Sequence, residues 1–210
     1  MTTPPPPLPR TPPSMGIPTA WLMLLSLLFL AVLTAIGRWG IGLASESDCA
    51  REAVQALAAD GASAPACAAV AAKLIAGGRW ARFYVWLDFG FIAAYTGFLI
   101  CGLQWIHERA ARAVDPKQHW TAAMWMTVIG LLVRAWGIPL AVVGGLADLL
   151  ENAWLLDAMP SDVVPETLPA RLVIATGLKW LLGSVALGTL VVGWLATNPW
   201  SRWMTALRLR

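Results

Sequence analysis

Four stretches of this chain, residues 17–37, 83–106, 122–156 and 172–196, are apolar almost without interruption. A helix needs about 20 apolar residues to cross the hydrocarbon core of a bilayer. The first, second and fourth stretches fit that length. The third is too long at about 1.5 Å per residue, so it must tilt, protrude, or kink near Gly137 and Pro139. The expected fold class is all-α. It is a polytopic membrane protein, a four-transmembrane-helix bundle with a small helical extramembrane loop.

Composition agrees. The chain is 58% hydrophobic and 13% charged, against about 25% charged in soluble domains. The net charge of +3 is small, and no basic run alternates with aromatics, which excludes nucleic acid as an expected partner. Many of the 13 tryptophans fall at span ends. Trp39, Trp80, Trp154 and Trp180 mark one set, and Trp21, Trp105, Trp125 and Trp194 the other. This is the pattern of an interfacial aromatic belt.

Arg109, Arg112 and Lys117 lie in 107–121, and Arg202, Arg208 and Arg210 in the tail 197–210, whereas 157–171 carries Asp157, Asp162 and Glu166. The positive-inside rule then puts both termini in the cytoplasm (N-in, C-in), with 107–121 cytoplasmic and 38–82 and 157–171 external. The basic residues of 38–82 run against this, but short loops weigh most. The apolar run of 17–37 exceeds a signal-peptide core of about 7–15 residues, so it is expected to stay as a membrane helix.

Residues 1–16 are Pro-rich and read as a disordered cytoplasmic tail. In 38–82, helices are expected over 45–59 and from Pro65 to about Ile75, with Ser63 as a cap and a stop at Gly77 and Gly78. Cys49 and Cys67 are expected to form a disulfide if this loop faces an oxidising compartment. Both lie near helix starts, which a simple antiparallel hairpin would hold apart. The tail 197–210, with Trp200, Trp203 and Leu207 on one face, reads as a short interfacial helix.

Charged side chains inside apolar spans are costly and mark candidate functional sites. Asp88, Asp148, Glu151 and Lys179, with Asn152 and Tyr95, are the candidates. Helix arithmetic puts them at one depth, about 3–10 Å below one interface. Asp148, Glu151 and Asn152 stand at i, i+3 and i+4, on one helix face, with Ala141, Gly144 and Gly145 on the same side as a close-packing surface. Lys179, Gly183 and Ala186 align on the fourth span. Lys179 is expected to contact Asp148 or Glu151, with Asp88 within one side-chain shell. Three carboxylates against one lysine leave an excess of negative charge. A retained proton, an inward Arg82 or Arg171, or a bound basic ligand would answer it. A purely structural network that fixes helix register is the equal alternative. His107, Glu108 and His119 read as solvated and lack metal-ligand spacing. No metal and no cofactor is expected, and no catalytic residue can be assigned.

The run from Gly144 to Ala153, with its D-x-x-E-N element at Asp148, Glu151 and Asn152, followed by Gly177, Leu178, Lys179 and Trp180, resembles bacterial four-helix integral membrane proteins of no known activity. The resemblance covers the last three spans. It implies the architecture and offers no activity. The expected location is a bacterial inner (plasma) membrane. The expected function is that of a binding or accessory membrane protein. Its charged pocket near the outer face would take a membrane lipid headgroup or a protein partner in the membrane. A membrane-embedded enzyme using carboxylate acid/base chemistry on a lipid-like substrate is the alternative, and ion- or proton-coupled transport a second.

Overall fold

The structure, a computed structural model, describes residues 17–41, 46–58, 65–113, 120–161 and 164–197. No strand occurs among them. The elements are α1 (Ile17–Ala35), α2 (Glu46–Ala58), α3 (Pro65–Ala76), α4 (Gly78–Ala113), α5 (Trp120–Leu132), α6 (Ile138–Ala158) and α7 (Leu168–Thr197). Four helical stretches are long and apolar enough to cross a membrane: Thr19–Gly40, Gly78–Ala111, Thr127–Ala158 and Leu168–Thr197. The calls on residues 1–16, on Ser63 and His119, and on Trp200, Trp203 and Leu207 lie outside the described residues.

Helix boundaries differ from the apolar boundaries. The second of these helices starts at Gly78 and ends at Ala113, so 78–82 and 107–113, expected in the flanking loops, belong to the helix itself. Apolar content marks where lipid ends, whereas a helix continues until a residue stops it. Gly78 adopts φ +56°, a conformation that costs glycine little, and it turns the chain from α3 into α4. Arg79, Trp80, Ala81 and Arg82 then continue as helix.

The long third span is α5 and α6 joined by a π-helical turn, Val133–Gly137. Pro139 lacks an N–H and cannot continue an unbroken α ladder. The turn shifts the register: the Ile138 N–H donates to the Val133 carbonyl, five residues back.

Helices α4, α6 and α7 pack mutually, α5 continues the bundle along α4, and α1 packs on α4. At the α1–α4 contact, a Cβ on Gly90 would come within 2.7 Å of the Phe29 ring. Two apolar layers result. One joins α3 to the near ends of α4, α6 and α7 through Leu74, Ile75, Val85, Leu155 and Leu172. The other lies deeper, through Leu103, Ile106, Val133, Ala141 and Leu190. Outward, the bundle exposes Leu24, Leu28, Leu146, Leu150, Val185 and Val192.

The helices α2 and α3 cap one end. The sulfurs of Cys49 and Cys67 are at bonding distance, with their Cα atoms 4.5 Å apart. The starts of α2 and α3 therefore lie side by side, and the two helices do not form the simple antiparallel hairpin. A second link ties the same ends: the Glu52 carboxylate accepts from the Ala66 N–H at 2.8 Å. That amide is one of the four a helix start leaves unpaired. The cap docks on α7 where Gly177 lets α2 approach; a Cβ there would stand 2.9 Å from the Ala53 carbonyl oxygen.

Candidate functional site

Between the two apolar layers is a polar layer. Lys179 on α7 reaches across to α6, with Nζ 2.9 Å from Asp148 Oδ1 and 3.0 Å from Glu151 Oε2. Tyr95 on α4 donates its hydroxyl to Asp148 Oδ2 at 3.0 Å. Asn152 donates through Nδ2 to Asp88 Oδ2 at 2.8 Å. The six sequence candidates thus lie in one layer drawn from α4, α6 and α7, as a Lys179, Asp148, Glu151 and Tyr95 network and an Asn152–Asp88 pair. Asp148 and Asn152 are 4% and 3% exposed. The Lys179 side chain keeps 20% of its surface accessible.

Local sequence explains the convergence. The i, i+3, i+4 spacing turns Asp148, Glu151 and Asn152 to one side of α6. Behind them Gly144 faces the backbone of Gly183, and Gly145 faces Thr96. Small residues bring α6 close enough to both neighbours for short side chains to meet.

The group borders a cavity of about 1060 Å³. Helices α1, α4, α6 and α7 supply its walls, and Cys49, Ala50, Cys67, Val70 and Leu74 of the cap its cover. Beyond the polar layer, away from the cap, the lining turns apolar at Leu30, Phe98, Leu99 and Leu187. Towards the cap the lining is apolar as well, at Leu33, Val70, Leu74, Leu155 and Leu172, so the polar groups form a belt within an apolar cavity.

Arg38 and Thr176 are among the lining residues that the sequence did not single out. Arg38, just past α1, lines the cavity, although its position beside Trp39 suited a plain interfacial anchor. Thr176 is 3% exposed, and its Oγ1 approaches the Glu151 carboxylate without reaching hydrogen-bond geometry. Its spacing of three residues from Lys179 was the available signal. Neither Arg82 nor Arg171 lines the cavity. The Arg171 guanidinium instead lies 5.8 Å from the centre of the Trp154 ring.

His107 is a correction. It is half-buried in α4 and not solvated in a loop, with Nδ1 2.9 Å from the Gly130 carbonyl oxygen. The helix continues past the apolar stretch and carries His107 into the α4–α5 contact. Among the described residues no group of three or more His, Cys, Asp or Glu side chains could hold a metal ion. No protein-family model matches the chain, and no curated protein or solved structure does.

Proposed function

We propose that this chain is a multi-pass membrane protein that binds the polar headgroup of a membrane amphiphile in the cavity beneath its cap. It acts as a binding or accessory protein and not through chemistry of its own. The observation that carries this reading is the cavity itself. A network that served only to fix helix register would close on its own charges, whereas Asp88, Asp148, Glu151 and Lys179 all border open volume.

The bundle's apolar outer surface supports insertion, since exposed Leu and Val in such numbers suit lipid and not water. The orientation proposed is N-in and C-in, in a bacterial inner membrane, on the distribution of basic residues among the loops. The Cys49–Cys67 pair supports it, because disulfides persist on the oxidising side of a membrane. Membrane lipids are the partners proposed, with a protein partner in the same membrane as a further one.

Mass spectrometry of the protein purified in mild detergent tests the reading. A lipid is expected at near-stoichiometric amount after exhaustive washing. Asp88→Asn and Glu151→Gln are expected to fold and to lose it. Protein that is folded and lipid-free, in several detergents, would end the proposal.

A further inference from the structure

Arg79 and Arg82 stand exposed at the start of α4 and do not line the cavity. We propose that together they hold the phosphate of an anionic phospholipid in the leaflet on the cap side, with Phe83 and Trp86 against its chains. This site is separate from the cavity and needs only that the bundle sits in a membrane.

Helix spacing makes the face. Residues 79, 82, 83 and 86 stand at i, i+3, i+4 and i+7, on one side of α4. All four are exposed, while Ala81, Tyr84 and Val85 are buried. Phe83 is 51% and Trp86 65% exposed. Trp80 meets Phe83 edge-on with ring centroids 6.5 Å apart, and Trp86 meets Phe89 at 5.6 Å. At about 1.5 Å per residue the stripe runs about 10 Å along the helix axis. Two guanidiniums therefore stand at its outer end and a group of aromatic rings below them. That is the order of groups a phospholipid presents, phosphate first and chains beneath. Asp88 lies two residues past Trp86 but turns inward, where Asn152 donates to it.

Charge identifies the occupant. Among the described residues neither Arg79 nor Arg82 has an ion-pair, hydrogen-bond or ring partner. Other arginines near span ends are held by rings. Arg109 lies 4.9 Å from the centre of the Trp105 ring, and Arg171 5.8 Å from that of Trp154. The first turn of α4 carries no acidic residue. Like charges one turn apart repel, and an anion between them removes the repulsion.

A guanidinium presents a planar fork of N–H donors that matches phosphate oxygens. A headgroup that carries its own ammonium would bring a third cation to the pair, so a net-anionic phospholipid is favoured over a zwitterionic one. An acidic protein segment would answer the charge too, but would leave Phe83 and Trp86 without the chains that suit them. In the orientation proposed above the pair lies on the external side, where basic residues are scarce. A phosphate at that surface offsets their charge.

Native mass spectrometry of the full chain in mild detergent tests the site. Dioleoyl phosphatidylglycerol and dioleoyl phosphatidylcholine are titrated separately. The parent chain is expected to bind the glycerol lipid about tenfold tighter than the choline lipid. Glutamine is a good helix former, so Arg79→Gln with Arg82→Gln should keep its melting temperature and lose the preference, and each single variant should lose part of it. Arg109→Gln with Arg171→Gln removes the same charge elsewhere and is expected to keep the preference. Inorganic phosphate at equal concentration is expected not to displace the lipid. Equal affinity for both lipids in the parent, or a preference that survives in the Arg79, Arg82 variant, would overturn the inference. An equal loss in the Arg109, Arg171 variant would do the same, because overall charge would then explain the preference. Displacement by inorganic phosphate would show an anion site that makes no use of the chains, and would overturn the lipid assignment. Asp88→Asn and Glu151→Gln separate this site from the cavity. Loss of the preference in those variants, with both arginines intact, would place the selective site in the cavity and sink this inference alone. Preference intact in a chain whose cavity holds no lipid would sink the headgroup reading alone.

Discussion

Lys179 is the residue on which the polar layer depends. It holds Asp148 at 2.9 Å and Glu151 at 3.0 Å, so its removal strands two carboxylates together. Removing one partner of a buried pair costs about 3–5 kcal/mol, mostly through the charge left behind. Lys179→Met is therefore expected to destabilise the protein by about that much, read by denaturant or thermal unfolding in detergent. Adding Glu151→Gln or Asp148→Asn should recover part of the loss, since each removes a stranded charge. A loss under about 1 kcal/mol in Lys179→Met would mean that water reaches the pair and screens it as at a surface. At this scale the sequence was informative wherever a side chain was costly. Asp88, Asp148, Glu151 and Lys179 stand out against apolar neighbours. Arg38 and Thr176 do not. An arginine at a span end and a threonine within a helix are ordinary, and only the packing shows that they line the cavity.

At the scale of elements, the cap decides how the site meets water. Its two helices were legible from Asp60, Gly61, Pro65, Gly77 and Gly78, residues that stop or start helices. Their mutual arrangement was not. An antiparallel hairpin is the default for two short helices, and the Cys49–Cys67 and Glu52–Ala66 links instead hold the two starts together. Cys49 and Cys67 are both buried. In the intact protein they are expected to resist alkylation until reduced under denaturing conditions, read as mass added per chain. Reduction is expected to loosen the cap by about 2–4 kcal/mol, the usual contribution of a native disulfide, seen as faster amide exchange in α2 and α3. Ready alkylation of both without reductant would rule the bond out. The π-helical turn at Val133–Gly137 belongs to this scale too. The proline and the excess length announced a disturbance in the third span, but whether it would be a kink or a change of register depended on the neighbours α5 and α6 pack against.

For the whole molecule, topology is the open prediction. Reporter fusions in 107–121 and after Trp200 are expected to read cytoplasmic, and fusions in 45–75 external; an external C-terminus would reverse the orientation. The reversal would carry the cap, the cavity and the polar layer together, because all three are fixed to one end of the bundle. What the sequence by itself determined is whatever follows from one helix at a time. The number of helices long and apolar enough to cross a membrane comes from apolar length, the shared depth of Asp88, Glu151 and Lys179 from a fixed rise per residue, and the polar face of α6 from its 3.6-residue period. What only the tertiary structure decided is what depends on two helices failing or managing to touch. That Lys179 reaches both carboxylates, and that α1 packs on α4 and makes no comparable contact with α7, are outcomes of side-chain volumes meeting across helices. Hydrophobicity cannot encode them, because in lipid every apolar face is equally content and close packing alone chooses the neighbour.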